Sequence, residues 1–395
     1  MHPHPERRCR GIHRTLSRLS SLALLAASTA GPLLAQTTST APRPDWKLDG
    51  RAQLDHARFD GVYTATGAGA SAFYLRRANL GTTVRWHPQW RAAAELEADS
   101  DGDITLDSAF VGWEPRQGLQ LRLGRIDPDF GLDQATSTSW TLGTERSALW
   151  DLAPDVADSN GGVGLRADAH GRRWHGSAGL YDKRDHRAVV ARGVWLPAVG
   201  RGAVLQLGAS AARSTDWRGD GRIRTRLGVR GVSEEPEGRR STLGEAAALP
   251  DAYRGDTAFG LEAAWQQGRW LLQAEALQRR LGAGNGVAAR TARGAYVQAA
   301  WSITGEARRH DEERARFGRA RPLDTRWGAW EVFGRIDWLG VQDGGDATVH
   351  TVGVGWTATE HWRALLNLHH GRSDDANAAS QRSGLGLSAR LQAVF

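Results

Sequence analysis

The stretch GLGLSARLQAVF, residues 384–395, alternates strictly along its length. One face carries Leu385, Leu387, Ala389, Leu391, Ala393 and Phe395, and the other carries Gly386, Ser388, Arg390, Gln392 and Val394. A period of two residues is typical of a β-strand with one apolar face. Such a strand fits a lipid-facing barrel wall or the last strand of a soluble sandwich. Since the sequence stops on this strand at an aromatic residue, we expect the strand to be held in the fold.

The other end of the sequence favours the membrane. Residues 1–35 read as a secretory signal, with five arginines before an apolar stretch from Leu19 to Leu34 and a cleavage site at Ala35. The only cysteine, Cys9, would leave with this signal, so the remaining domain, residues 36–395, has no disulfide or thiolate metal site. No longer apolar stretch could cross a bilayer as a helix, so we expect any crossing to be made by strands.

Composition and periodicity agree with a barrel. Mean hydropathy is −0.48, and the 17 tryptophans follow the predicted signal, many of them at the ends of candidate strands as in an interfacial girdle. Alternating stretches recur at 119–124, 203–211, 259–265, 270–277, 296–303, 330–336, 351–356 and 362–370. At roughly ten residues per membrane strand, we predict an all-β, transmembrane antiparallel barrel of about 16 strands. Its longest loops are predicted at 233–256 and 305–327.

The net charge of the predicted mature protein is lower than that of the full sequence. The formal net charge is +7, but the signal carries five arginines and one glutamate, which leaves 7 − 4 = +3. Bulk charge therefore does not argue for a nucleic-acid partner, and none is predicted. Lys47 and Lys183 are the only lysines, so nearly every cation is an arginine, whose planar fork of donors suits oxyanions. A high genomic GC content would give the same bias.

A dense arginine set lies in GRIRTRLGVR, residues 221–230. In an extended chain, Arg222, Arg224 and Arg226 would project from one side, and their charges would repel unless acids or a bound anion offset them. No acid lies between Asp220 and Glu234. The set is therefore an anion site, a solvated face, or a group paired with distant acids.

Several segments resemble the phosphate-selective porin O/P family. They are FYLRRANL (73–80), LRLGRIDPDFGLDQATSTSW (121–140) with Glu145-Arg146, GRIRTRLGVRGVS (221–233), FGLEAAW (259–265), SITGEAR (302–308), GAWEVFGR (328–335) and the final ARLQAVF. The resemblance implies a 16-stranded barrel, a homotrimer in the bacterial outer membrane, and a pore narrowed by an inward-folded constriction loop where phosphate passes between arginines.

The resemblance also implies the site residues. They are Arg76, Arg77, Asp107, Arg122, Ser137, Thr138, Arg146, Arg222, Arg224, Arg226, Arg230 and Arg240, with Arg239 as an alternative to the last. Gln134 and Asn79 depart from the phosphate-specific member, which has a lysine and a tyrosine there. Both departures favour a more general porin.

Two of these assignments carry alternatives. Arg76 and Arg77 are adjacent, and neighbours on a regular strand face opposite ways, so only one can be a pure lumen residue unless the strand ends there, and the other is expected at the membrane interface. Asp107 could accept a hydrogen bond from protonated phosphate, or it could be the counter-charge of Arg122 or Arg125.

We therefore predict a passive channel for anions, with phosphate or a related oxyanion as the substrate and outer-membrane lipid around it. The alternative is a general anion or small-solute porin. The sequence shows no catalytic set, no cofactor motif and no metal-spaced histidine set. His369 and His370 are adjacent on a strand and therefore cannot chelate a metal from one face. A barrel enzyme would need an acid/base set, and a soluble binding protein would need shorter strands.

Overall fold

The computed structural model describes residues 44–98, 102–153, 162–200, 202–231, 241–284, 286–374 and 382–395. They form a closed antiparallel barrel of 16 strands, as the alternation predicts. Residues 1–43 lie outside the described part, so the signal peptide stays a prediction.

The chain contains twenty described strands. They are β1 (Asp45–Phe59), β2 (Ala70–His87), β3 (Trp90–Ala98), β4 (Ile104–Arg116), β5 (Leu119–Arg125), β6 (Val163–Gly171), β7 (Trp174–Asp182), β8 (Arg187–Gly200), β9 (Ala203–Gly219), β10 (Ile223–Thr225), β11 (Ser241–Gly244), β12 (Tyr253–Gln267), β13 (Trp270–Leu281), β14 (Arg290–Ser302), β15 (Arg308–Asp311), β16 (Arg316–Ala320), β17 (Ala329–Val341), β18 (Asp346–Thr357), β19 (Trp362–Ser373) and β20 (Ser383–Val394). Two hairpins, β10–β11 and β15–β16, stand outside the barrel sheet.

The terminal strand β20 closes the barrel by pairing with β1 from Arg51↔Val394 to Phe59↔Gly386. The backbone of Phe395 continues the ladder, with its N–H donating to the carbonyl of Gly50 at 3.0 Å. The apolar side chains of β20 face outward, and Phe395 is 61% exposed, while Arg390 on the opposite face is buried in the lumen. The predicted faces of residues 384–395 are thus confirmed.

The two ends of the barrel differ. At one end the connections are tight, as between β2 and β3 or β6 and β7, except for the one that bears β15–β16, and tryptophans flank the tight turns. Trp90 stacks between Trp86 and Trp113, with ring centroids 6.5 and 5.7 Å apart. Short turns mark the periplasmic end of outer-membrane barrels, so the longer connections of the other end face the exterior. Trp140 does not belong to this girdle, because it lies in the β5–β6 connection.

The predicted loops need correction. The longest connection between barrel strands is residues 126–162, which sequence patterning did not single out. Residues 305–327 are not a simple loop, since they contain the β15–β16 hairpin, in which Phe317 is buried. Residues 233–256 include β11 and the start of β12. The described helices are single short turns, and none is long and apolar enough to span a membrane.

The 126–162 segment bonds to inward-facing side chains on strands distributed around the barrel. The backbone N–H of Leu132 donates to Glu275 on β13 at 2.6 Å, and that of Ala148 donates to Asp337 on β17 at 2.9 Å. Arg363 on β19 donates to the carbonyl of Ser139 at 2.9 Å. These bonds place the segment among the lumen side chains of distant strands.

The β15–β16 hairpin also contacts lumen side chains. Its carbonyl at Ala315 accepts from Arg192 on β8 at 2.9 Å, and His310 bonds to Gln206 on β9 at 2.8 Å. Arg316 donates to the carbonyl of Ala135 in the 126–162 segment at 3.1 Å. Two chain segments, entering from opposite ends of the barrel, therefore meet in its interior.

Candidate functional site

Two polar cavities, of about 450 and 400 Å³, lie in the lumen on either side of the 126–162 segment. We call the one lined by Arg226 and Arg230 the loop-side cavity, and the one lined by Arg51 and Phe395 the turn-side cavity. Five residues line both and define what we call the neck: Arg77, Asp107, Gln134, Thr138 and Arg146. The structure thus brings four of the predicted site residues, together with Gln134, to the boundary between the two cavities.

β-Bulges position two charged residues at the height of the neck. Opposite β1, the register jumps from Gln53↔Arg77 to Leu54↔Leu75, so Arg76 is an extra residue in β2. A bulge leaves the extra residue unpaired and re-aims the side chains beside it. Arg76 and Arg77 both line the loop-side cavity, so the expectation that one of the pair lies at the membrane interface is wrong.

Asp107 is the extra residue of a second bulge. In the pairing of β3 with β4, Glu95 lies opposite Ser108 and Leu96 lies opposite Leu106. The Asp107 carboxylate has no hydrogen bond or ion pair with any described residue. Arg125 instead donates from Nε to the backbone carbonyl of Asp107 at 3.1 Å. The side chain of Asp107 is therefore presented to both cavities without a bound counter-charge.

The two arginines of the neck have no close ion pair with a carboxylate among the described residues. Arg146 donates to the carbonyls of Asp133, Gln134 and Thr136 at 3.0–3.1 Å. Arg77 makes one long contact, 3.4 Å, to Glu97, and its Nε has no partner among the described residues. A carbonyl satisfies a guanidinium donor without cancelling its charge. The positive charge of Arg146 is consequently still available to a solute.

Other lumen arginines are neutralised by carboxylates. Arg390 pairs with Asp55 through two bonds of 2.7 and 2.8 Å. Similar pairs join Arg192 to Glu262, Arg279 to Asp256, Arg308 to Glu331 and Arg335 to Asp337 at 2.7–3.0 Å. The carboxylates neutralise these arginines of the lumen, whereas Arg77 and Arg146 at the neck have fewer carboxylate partners.

Glu145 lies in the 126–162 segment and gathers three arginines. It accepts two bonds from Arg76, at 2.7 and 3.1 Å, and one from Arg390 at 2.8 Å, and Arg230 lies 3.6 Å away. Burial alone would raise the pKa of the Glu145 carboxyl, but the guanidinium groups of Arg76 and Arg390 hold it well below its usual range. Glu145 is thus a permanent anion inside the arginine cluster.

The predicted hydroxyl residues lie on the turn side. Ser137 and Thr138 line the turn-side cavity, and the Thr138 hydroxyl accepts from Arg51 at 2.6 Å. Arg51, on the inward face of β1, was not among the predicted residues, and neither was Arg125. The alternation of β1 could have indicated Arg51. Arg125 could not be found this way, because Gly124 has φ of +141° and breaks the alternation of β5.

The arginine-rich segment 221–230 is only partly at the neck. Strand β10 covers Ile223–Thr225, and the chain then turns at Leu227, whose φ is +55°. Arg226 and Arg230 line the loop-side cavity, whereas Arg222 and Arg224 line neither cavity. The exposed Arg222 lies 3.6 Å from Asp220.

The acids that offset the segment are distant in sequence. The carboxylate of Asp151 accepts from the Thr225 hydroxyl and the Arg226 N–H, both at 2.8 Å, and Glu145 faces Arg230. Arg239 and Arg240 lie outside the described residues.

Arg122 is separate from the neck. Its guanidinium pairs with Asp168 at 2.7 Å and lies over the ring of Phe110, 5.6 Å from the centroid. It lines neither cavity. The structure therefore does not bring Arg122 together with the other predicted residues.

Among the described residues, one group offers metal-ligand geometry: single atoms of Asp129, Asp168 and His175 lie within 4.8 Å of one another. Arg166 and Arg192 contact Asp129 at 3.1 and 3.2 Å, and Arg166 also pairs with Asp168. A cation would have to compete with these guanidinium charges. The arrangement is an ion-pair network instead of a metal centre.

The whole barrel matches a known family. The family described as phosphate-selective porin O and P matches residues 46–395. The chain belongs to this family. Porin O of Pseudomonas aeruginosa is 34% identical over 386 residues, which cover 89% of this chain and 88% of that protein. A protein of Caulobacter vibrioides is 26% identical over 370 residues, covering 86% and 70%.

Solved porins share the fold. An anion-selective porin from Comamonas acidovorans has a TM-score of 0.60 at 14% identity, covering 89% of this chain and 100% of that one. The outer-membrane protein OmpT of Vibrio cholerae has a TM-score of 0.55 at 9% identity, covering 89% and 98%. This member of the porin O and P family is an outer-membrane channel and not an enzyme. The predictions of family, fold class and location are confirmed.

Proposed function

We propose that this porin passes small anions and prefers phosphate or a related oxyanion, with selection at the neck. The proposal makes the 126–162 segment the constriction loop. It assigns binding to Arg76, Arg77, Arg146, Arg226 and Arg230, with Ser137 and Thr138 on the turn side. Family membership and the Porin O likeness support the choice of substrate.

One observation carries this proposal: among the described residues, Arg146 at the neck bonds to carbonyl oxygens alone, and Arg77, which lines both cavities, has a single long contact to a carboxylate. Charge confined in a narrow, low-dielectric pore attracts counter-ions more strongly than the molecular total suggests. A planar guanidinium also matches the geometry of a tetrahedral oxyanion. The neck therefore supplies both the attraction and the hydrogen-bond donors that an anion needs when it sheds water.

A general anion porin is the second candidate. Neutral Gln134 stands at the neck, and Glu95 and Asp49 line the turn-side cavity, which lowers its positive charge. These features predict weaker binding and faster passage. The two functions differ in whether phosphate blocks the current of other anions.

We also propose that the porin assembles as a homotrimer. OmpT of Vibrio cholerae, which shares the fold, has been solved in a trimer form. In this chain, the outward faces of β1 and β2 expose Trp46, Leu48 and Phe73, an apolar surface that a neighbouring protomer or lipid can cover.

A bilayer recording of the purified wild-type porin tests the function. We expect the reversal potential across a chloride gradient to show anion selectivity, and phosphate to block the chloride current in a saturable way. Selectivity without block would support the general porin. A cation-selective pore would contradict both.

The variant Asp107→Asn is expected to reduce discrimination between phosphate and sulfate by roughly tenfold, since a hydrogen bond to a charged group is worth about 1.5–3 kcal/mol. Phosphate retains a proton that a carboxylate can accept, and sulfate has none at neutral pH. Chloride conductance should change much less. The measurement is block of chloride current by each oxyanion, and an unchanged phosphate-to-sulfate ratio would make Asp107 a structural residue.

A further inference from the structure

An arginine cluster lies on the outer wall, away from the lumen. Arg213 on β9 and Arg280 on β13 face outward, and both lie level with Thr257 on the strand between them, through the pairs Thr257↔Arg213 and Thr257↔Arg280. Exposed Arg254 lies near the loop end of β12. Strands are spaced by about 4.8 Å, so Arg213 and Arg280 are roughly 10 Å apart at the backbone, and their side chains can converge on one group.

These arginines line a concavity that contains no carboxylate. Its lining consists of Arg213, Ser214, Thr215, Arg254, Gly255, Thr257, Phe259, Gln278, Arg280 and Gly282. Neither Arg213 nor Arg280 forms an ion pair or hydrogen bond with a described residue. Arg213 and Arg280 are therefore an unexplained local excess of positive charge on a membrane-facing wall.

An apolar groove continues from this concavity across the outward faces of β5 to β9. The two share Arg213, Ser214, Thr215, Thr257 and Phe259. Ala191 and Ala211, paired across β8 and β9, form the floor between bulkier neighbours. Those neighbours are outward-facing side chains that are each at least half exposed: Leu123, Leu165, Leu180, Val189 and Phe259.

We propose that this outer-wall site binds a phosphorylated glycolipid of the outer leaflet, of the lipopolysaccharide type. The cluster takes the phosphate, and the groove takes an acyl chain. The site lies at the end of the barrel with the longer connections, which faces the exterior. There it meets the headgroups of the outer leaflet.

The chemistry of this outer-wall site favours a lipid over a soluble anion. A free phosphate would use the arginines alone and would leave the adjoining aliphatic groove unexplained. Arginine and phosphate form bidentate, charge-assisted hydrogen bonds, and burial of the methylene groups of an acyl chain in the groove adds a hydrophobic contribution. Two carboxylates, Asp182 and Asp216, border the groove on the β7–β9 side, and Asp216 is engaged by the N–H of Arg187 and the Ser214 hydroxyl.

The test is lipid binding by the detergent-purified porin, measured by native mass spectrometry with bisphosphorylated lipid A as the probe. The variant carries Arg213→Gln, Arg254→Gln and Arg280→Gln together. A lipid-facing arginine near the interface costs only about 0–1 kcal/mol, so its removal should leave folding intact. The matched control carries Arg85→Gln, Arg116→Gln and Arg172→Gln, which remove the same charge from exposed positions at the short-turn end.

We expect the triple variant to lose at least tenfold in affinity for lipid A, the control to stay within twofold of the wild type, and dephosphorylated lipid A to bind at least tenfold more weakly. Chloride current and its block by phosphate should be the same in all three proteins. A smaller loss, or equal binding of the dephosphorylated lipid, would overturn the proposal. Displacement of lipid A by 1 mM inorganic phosphate would show a simple anion site and also overturn it.

Discussion

Replacing Arg77 by alanine is expected to weaken anion binding in the pore by roughly tenfold to a hundredfold. Arg77 lines both cavities, and it is held by only one long contact to Glu97. A charge-assisted hydrogen bond contributes about 1.5–3 kcal/mol, and tenfold in affinity corresponds to about 1.4 kcal/mol. The measurement is the phosphate concentration that halves the chloride current.

The matched comparison for Arg77→Ala is Arg122→Ala. Arg122 also belongs to the lumen wall, but Asp168 neutralises it and it lines neither cavity. Its removal should change phosphate block by less than twofold. Equal losses in both variants would show a diffuse positive lumen without a selective neck. If the same phosphate concentration halved the chloride current in Arg77→Ala and in the wild type, Arg77 would be excluded from the site.

The variant Glu145→Gln is expected to tighten anion binding by roughly tenfold to thirtyfold and to lower stability. Removing the carboxylate leaves the charges of Arg76 and Arg230 uncancelled. At an effective dielectric of about 20, one unit charge at about 8 Å from a bound anion is worth about 2 kcal/mol. Breaking a buried ion pair on one side costs about 3–5 kcal/mol, although Arg390 keeps its pair with Asp55.

Two measurements check Glu145→Gln: phosphate block of the chloride current and the temperature of heat unfolding of the barrel. The control is Glu360→Gln, which removes the same charge from a side chain that is 68% exposed at the short-turn end. The control should match the wild type in both. If Glu145→Gln weakened block while the barrel stayed assembled, the carboxylate would be a structural anchor of the 126–162 segment and not a competitor of the bound anion.

The barrel could be predicted because each strand of its wall shows a two-residue alternation in its own sequence. Every wall strand has lipid on one side and polar groups on the other. The alternation of β20 or β13 therefore indicates directly which side chains face the lipid and which face the lumen. The eight alternating stretches all lie within or nearly within observed strands, which extend further at most ends. The strand number follows from the same pattern and from chain length.

The interior could not be predicted in the same way. The 126–162 segment and the β15–β16 hairpin bond to side chains more than a hundred residues away, as Leu132 does to Glu275. The sequence of a polar segment does not indicate which distant side chain it will bond to. The bulge at Arg76 depends on the register of the neighbouring strand. For these reasons, local patterning identified the arginines of residues 221–230 but could not tell that Arg226 and Arg230 reach the cavity while Arg222 and Arg224 do not.

The bulges at Arg76 and Asp107 change how closely charged side chains can be spaced along the pore wall. A regular strand presents a side chain to the lumen only every second residue, about 6.8 Å apart. Where Arg76 and Arg77 both turn inward, that spacing is halved for one step. A permeating ion meets a short stretch of doubled charge density there, and it does so without a wider or narrower barrel. Selectivity can thus evolve by inserting or deleting one residue, whereas the strands on either side keep their lipid contacts.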